Sequence, residues 1–202
     1  MVRHAFDLAR TRRRHVTSIS KANALPFGMV LWDDVFAAVA REYPDVATRR
    51  LNVDAAAMFL IERPAELDVV ACTNLFGDIL SDAAAAIAGG VGLAPGANLN
   101  PDRQFPSMFE PIHGSAPDIG GRGIANPIAA ILAGAMLLRH VGNGDAATEG
   151  AAEAIERAVG DVLASGRIRT RDLGGDASTG AVGEAVCAAI NHPNDNGDTV
   201  PA

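Results

Sequence analysis

Asp68-Val69-Val70-Ala71-Cys72-Thr73-Asn74-Leu75-Phe76-Gly77-Asp78-Ile79-Leu80-Ser81-Asp82 is the stretch on which the reading of the chain turns. Asp68 to Cys72 is a short apolar run, the pattern of a buried strand. It passes through Thr73-Asn74 into an Ala-rich helix, about Leu75–Ala88. Asp78 and Asp82 stand four residues apart on that helix, so their carboxylates project from one face. Like charges at this spacing repel by roughly 0.2–0.5 kcal/mol, and an apolar helix gains nothing from them structurally. A hard divalent cation, Mg²⁺ or Mn²⁺, would relieve the repulsion and use the oxygen ligands. The alternatives are a solvated helix face, or Asp78 acting as a cap near the helix N-terminus.

Upstream, strands and helices alternate. A helix over about Val2–Arg12 leads to a strand, His15–Ser20. A polar stretch, Lys21–Pro26, precedes an amphipathic helix, about Gly28–Glu42, with Val30, Leu31, Val35, Ala38 and Val39 on one face. Tyr43-Pro44-Asp45 ends it. Ala47–Val53 reads as a strand and Asp54–Glu62 as a short helix with Asp54 at or near its start. Gly89-Gly90-Val91-Gly92 marks the best internal boundary. Beyond it Gly and Pro dominate as far as Pro127, with room for short strands at Ala97–Asn100 and Ser107–Phe109. Three helices follow: Pro127–Val141 with Pro at its first position, Asp145–Ser165, and Thr179–Ile190. Asn191–Ala202 is polar and reads as a frayed tail. Interleaved strands and helices predict an α/β fold.

Composition narrows the function. The chain has 202 residues, 49% hydrophobic and 20% charged, which excludes wholesale disorder. Alanine supplies 39 residues against nine aromatics, favouring close-packed helices over a β-sandwich. The formal net charge of −7 argues against nucleic acid as a partner. Pro127–Leu138, the most apolar stretch, is too short to span a bilayer. Cys72 and Cys187 lie far apart, which suits a reducing, cytoplasmic setting rather than a disulfide framework or zinc site. Met1–Ser20 carries five arginines and one acid. It mimics a mitochondrial presequence, but it runs straight into an element that bears chemistry, and an N-terminal helix is the preferred reading. Arg12-Arg13-Arg14 reads as a solvated turn.

Three further features could carry chemistry. Lys21 is the only lysine among 17 basic residues, and lysine can lose its proton where arginine cannot. Its bland reading is a surface cation. Asp54 opens an Ala-rich helix, and its bland reading is an N-cap. The third is the loop Glu110-Pro111-Ile112-His113-Gly114-Ser115-Ala116-Pro117-Asp118-Ile119, continuing through Gly120-Gly121-Arg122-Gly123-Ile124-Ala125-Asn126-Pro127. A loop so rich in Gly, Pro and small residues lets backbone N–H groups approach a ligand closely. It lacks the G-x-G-x-x-G fingerprint. Its bland reading is a surface loop capped by Asn126 before the next helix.

Taken together, Ser20-Lys21-Ala22-Asn23, Val53-Asp54-Ala55-Ala56-Ala57-Met58, Thr73 to Asp82 and Glu110 to Pro127 resemble the β-decarboxylating dehydrogenases. This family holds the isocitrate, isopropylmalate and tartrate/D-malate dehydrogenases. The pieces stand in the family's order, from Ala5 to about Ile190. The segment ANLNPDRQFPSMFE, ending at Glu110, looks most like the tartrate/D-malate branch.

The resemblance implies a partial isopropylmalate-dehydrogenase-like α/β fold whose N-terminal half is missing from this chain. Residues 1–89 would be the rear of the dimerisation and substrate domain. Residues 90–190 would be the returning half of the cofactor domain, and 191–202 a disordered tail. Asp78 and Asp82 would bind Mg²⁺ or Mn²⁺ from one subunit, with Asp54 completing the site from its partner. Lys21, also from the partner, would serve proton transfer at the substrate hydroxyl. His113, Gly114 and Asn126 would hold the adenosine half of NAD, with Glu110 near the nicotinamide end. Asp118 would accept from the adenosine ribose hydroxyls and repel a 2′-phosphate, favouring NAD over NADP.

The implied reaction is oxidation of a small 2-hydroxy dicarboxylic acid, hydride passing to NAD⁺, followed by loss of CO₂. The substrate-binding arginines and the tyrosine of the family pattern match nothing here; Tyr43 and Arg10–Arg14 stand elsewhere. The chain alone is therefore expected to be inactive, and to be a homodimer or the partner of a full-length relative. The alternatives are a non-catalytic partner subunit and a remnant that only binds NAD or metal.

Overall fold

The computed structural model describes residues 1–191 and falls into two compact units, Met1–Ile87 and the part from Ala88 onward. In the first unit, β1 (His15–Ser20) pairs in parallel with β2 (Ala47–Asn52) and with β3 (Val69–Ala71). The order β2-β1-β3 places β1 in the centre, and residues 16–20 are accordingly all buried. Successive side chains alternate faces, so Val16 and Ile19 enter different cores. Val16 joins α1 (Val2–Arg10) and α2 (Gly28–Ala40) through Phe6, Ala9, Phe36 and Val39. Ile19 joins α3 (Val53–Glu62) and α4 (Asn74–Ile87) through Ala56, Phe76 and Leu80. A parallel sheet covered on both faces follows from its crossover helices.

An aromatic cluster anchors the first core. Phe6 is fully buried, with its ring centroid 5.4 Å from Phe36 and 4.9 Å from Tyr43. The Tyr43 hydroxyl donates to Asp7 at 2.9 Å, which satisfies its polar end.

Several sequence expectations need correction here. α1 ends at Arg10, not Arg12, because Thr11 Oγ1 and its N–H both bond the Leu8 carbonyl and Arg14 turns at φ 57°. The arginine cluster after it is an exposed turn, as expected, and it is also anchored to the fold. Arg12 Nε and the Arg13 N–H donate to the Asp68 carboxylate at 2.9 and 3.0 Å, while Arg13 also reaches the carbonyls of Ala65 and Leu67. The Asp68 side chain is only 2% exposed. Burial alone would raise its pKa; the Arg12 hydrogen bond and the backbone N–H groups outweigh it and hold it low.

The buried face of α2 is also not the expected one. Phe36 and Val39 are buried, with Trp32 packed beside them, while Val30, Leu31 and Val35 are exposed. Trp32 Nε1 donates to Ser18 Oγ at 2.9 Å and fixes this rotation.

In the second unit, β4 (Pro95–Asn98) pairs antiparallel with β5 (Met108–Pro111). The expected strands, Ala97–Asn100 and Ser107–Phe109, overlap them but are offset, because pairing runs from Pro95↔Pro111 to Asn98↔Met108. Three helices pack together: α5 (Ile128–Gly142), α6 (Ala146–Ser165) and α7 (Thr179–Asn191). Their core is Ile128, Ala158, Val159, Val162, Val182 and Val186. Pro127 sits just before α5, not at its first helical position, and Asn126 Oδ1 accepts the Ile128 N–H at 3.0 Å.

The α5–α6 turn requires glycine: a Cβ on Gly142 would lie 1.8 Å from Thr148 Oγ1. Asp145 caps α6 by accepting the Thr148 N–H at 3.0 Å. Asn191 closes α7; the rest of the expected tail lies outside the described residues. Among the described residues no helix is long and apolar enough to cross a membrane.

Candidate functional site

In the first unit, the chemistry-bearing residues follow the C-terminal ends of the parallel strands, where open α/β sheets place their ligands. Lys21 follows β1 and Asp54 is the second residue of α3, directly after β2. β1 and β2 are in register, Ser20 opposite Asn52, so the two side chains emerge side by side. Lys21 Nζ donates to Asp54 Oδ1 at 2.6 Å. The Lys21 side chain is 25% exposed and that of Asp54 68%. The Lys21 hydrogen bond, with backbone N–H groups at the helix start, holds the Asp54 carboxyl below its ordinary pKa. Asp54 is not the N-cap, as its bland reading had it; Asn52 occupies that position.

The strand–turn–helix after β3 delivers Asp78 and Asp82. Phe76, Leu80 and Ala85 form the buried face of α4, and both aspartates are exposed on the other. Asp78 is the fifth residue of α4 and so lies past the capping positions. Among the described residues, no group of three or more His, Cys, Asp or Glu side chains is placed to hold a metal within one chain. Asp54 and the Asp78/Asp82 pair are thus not gathered by this chain alone. Beside them a cavity of about 280 Å³ is lined by Ile19, Ala56, Leu60, Cys72, Leu80 and Ser81, among others. Burial there, and then the nearby Asp78 charge, raise the Cys72 thiol pKa.

The second unit holds a cleft of about 480 Å³. His113, Gly114 and Asn126 line it together with apolar Val91, Ile119 and Ile124. Asn126, 8% exposed, is fixed from both ends: Oδ1 caps α5 and Nδ2 donates to Asp172 Oδ2 at 2.9 Å. His113 Nδ1 lies 2.9 Å from the Gly114 carbonyl. Asp118 and Glu110 are exposed and do not line the cleft; Asn98 Nδ2 is 3.5 Å from Glu110 Oε1.

Sequence reasoning marked Gly92 only as part of a boundary and missed Arg171 and Asp172. A Cβ on Gly92 would lie 2.8 Å from Asp172 Oδ2 and 2.9 Å from Asn126 Cβ, so only glycine leaves room for that pair. Thr170-Arg171-Asp172-Leu173-Gly174-Gly175 carries a turn signal, and Gly174 indeed has φ 77°. Nothing local, however, ties Asp172 to Asn126 across 46 residues.

Comparison with known proteins gives one consistent result. The family model for isocitrate/isopropylmalate dehydrogenase matches residues 1–186. A probable tartrate dehydrogenase/decarboxylase of Agrobacterium vitis is 48% identical over 195 residues, covering 96% of this chain and 53% of that protein. A decarboxylating D-malate dehydrogenase of Escherichia coli (strain K12) is 47% identical over 191 residues, covering 94% and 53%. The crystal structure of isocitrate dehydrogenase from Methylococcus capsulatus superposes with a TM-score of 0.86 at 45% identity, covering 94% of this chain and 54% of that one. The chain spans about half the length of the curated relatives it matches. With the α/β fold, the parallel β2-β1-β3 sheet and the match over residues 1–186, the chain belongs to the isocitrate/isopropylmalate dehydrogenase family.

Proposed function

We propose that this chain serves a metal-dependent, NAD-linked oxidative decarboxylation of a small 2-hydroxy dicarboxylic acid. Of the family's substrates, a tartrate or D-malate type is favoured by the segment ANLNPDRQFPSMFE, which resembles that branch; overall identity does not separate it from a 3-isopropylmalate type, at 47–48% against 47%. The observation that carries the reading is the Lys21–Asp54 pair, a proton-transfer group 2.6 Å from a hard oxygen donor at the ends of two parallel strands.

The donor set fits the implied metal: Asp54, Asp78 and Asp82 offer only carboxylate oxygens, the ligands Mg²⁺ and Mn²⁺ take. Asp54 of one copy would act with Asp78 and Asp82 of another, making a homodimer, or a pairing with a related subunit, part of the reading. When bound, the metal supplies Lewis-acid polarisation of the substrate oxygens and NAD supplies the hydride acceptor. In its neutral amine form Lys21 would take the proton from the substrate hydroxyl. Asp54, in contact with Lys21 Nζ at 2.6 Å, would orient that amino group. Residues 1–87 would thus serve as part of the dimerisation and substrate domain, and the second unit as part of the cofactor domain.

The cleft of that second unit fits an adenosine. Its walls are largely apolar, with the Asn126 amide, the His113 ring and the charged Arg171 and Asp172 as polar groups. Glu110 lies on β5 and would face the nicotinamide end, while Asp118 would accept from the ribose hydroxyls. Cys72 and Cys187 are free thiols, which fits a reducing cytoplasm.

The test is NADH formation by the protein that carries this chain, with D-malate, tartrate, 3-isopropylmalate and isocitrate each supplied alongside Mn²⁺. The expected result is turnover that EDTA abolishes and Asp78→Asn lowers. Undiminished turnover in EDTA would remove the metal from the proposal, and no turnover with any 2-hydroxy dicarboxylic acid would remove the reaction.

A further inference from the structure

Lys21 is assigned above to proton transfer and Asp54 to metal binding, yet the two groups are in direct contact. We infer that Lys21 also acts as an electrostatic antagonist of the divalent cation, setting how tightly Asp54 can take part in holding it. The inference rests on the reading of Asp54 as a metal ligand.

The geometry carries the argument. Lys21 Nζ lies 2.6 Å from Asp54 Oδ1, so one lone-pair direction of the carboxylate is already spoken for. The contact is held by the fold: Lys21 leaves the end of β1 and Asp54 the end of β2, and those strands are locked in register by six paired residues. The Lys21 side chain is three-quarters covered, so its ammonium is not free to swing fully into solvent. In the resting chain, before substrate binds, a divalent cation on the same carboxylate therefore meets the Lys21 ammonium within a few ångströms. Two like charges at that range repel, and the partial covering of Lys21 limits the screening by water. The same arrangement makes the metal weakly held and exchangeable, while keeping the proton-transfer group beside it.

Titration of Mn²⁺ into the purified chain, in the assembly it forms, followed by the paramagnetic resonance signal of free Mn²⁺, tests this without reference to turnover. Lys21→Met keeps the length of the side chain and removes the charge. It should tighten Mn²⁺ binding by about three- to tenfold. Lys21→Arg keeps the charge and should bind Mn²⁺ as the unaltered chain does. The gap between Lys21→Met and the unaltered chain should narrow as salt is raised. Circular dichroism confirms that each variant is folded.

Equal or weaker binding by Lys21→Met overturns the inference and leaves the metal site standing, provided Asp54→Asn and Asp78→Asn both weaken binding. Binding that ignores Asp54→Asn and Asp78→Asn overturns the metal-site reading and the inference with it.

Discussion

Replacing Gly92 by alanine gives a sharp test of how the second unit builds its cleft. Gly92 is buried, and its backbone lies outside the left-handed region, so the substitution strains nothing by itself. The penalty is steric. The added methyl would stand 2.8 Å from Asp172 Oδ2 and 2.9 Å from Asn126 Cβ. Ordinary contacts at these atoms need about half an ångström more. The Asp172 carboxylate can rotate away, but Asn126 cannot, because its side chain caps α5. Overpacking of this kind costs about 1–3 kcal/mol. Loss of the bond from Asn126 to Asp172 adds roughly 1 kcal/mol, kept low because Asp172 is exposed.

The sum, about 2–4 kcal/mol, corresponds to a melting temperature lowered by roughly 4–16 °C in a chain of this length. If the cleft takes NAD as proposed, displacement of Asn126 should also weaken NAD binding by about tenfold, the equivalent of 1.4 kcal/mol. Differential scanning calorimetry and titration with NAD read the two effects. In an Asp172→Ala background the stability penalty of Gly92→Ala should shrink, since one of the two clashing atoms is gone. Unchanged melting together with unchanged NAD affinity would refute the steric argument. A penalty identical in both backgrounds would assign the clash to Asn126 alone.

Three further outcomes are expected. Asp68→Ala removes an almost fully covered carboxylate that accepts from Arg12 and Arg13, and should destabilise the chain by about 2–3 kcal/mol at pH 7 in urea unfolding. The folded-state pKa of Asp68 is lowered, so its contribution is complete above the unfolded carboxyl value near 4 and is lost as pH falls through the folded value; a gap to Asp68→Ala that stays constant from pH 7 down to pH 2 would contradict this. Phe6→Ala empties the centre of the Phe36–Tyr43 cluster and should cost about 3–5 kcal/mol, with a loss under 1 kcal/mol telling against that core. If Asp118 governs cofactor choice, Asp118→Lys should narrow or reverse the ratio of kcat/KM for NAD over NADP, and a ratio unmoved by the change would place that choice elsewhere.

The sequence by itself determined the class of fold and the identity of the chemical groups. Strand-then-helix alternation is a local property, so β1, β2, β3 and the helices after them were legible, as was the one-faced spacing of Asp78 and Asp82. The solitary lysine and the Glu110–Pro127 loop stood out by composition.

The face of α2 was not legible. Gly28–Ala40 is apolar almost all round, so periodicity marks no single buried stripe; only the sheet and the Trp32–Ser18 bond select Phe36 and Val39 over Leu31 and Val35. The anchoring of the arginine turn was not legible because its partner, Asp68, lies 55 residues away and gains its hold only when β3 docks beside β1. The roles of Gly92 and Asp172 were invisible for the same reason: their value comes from close approach to Asn126, a distance that no local pattern encodes. The contact of Lys21 with Asp54 belongs to the tertiary structure as well, because it exists only when β1 and β2 lie parallel with Ser20 opposite Asn52.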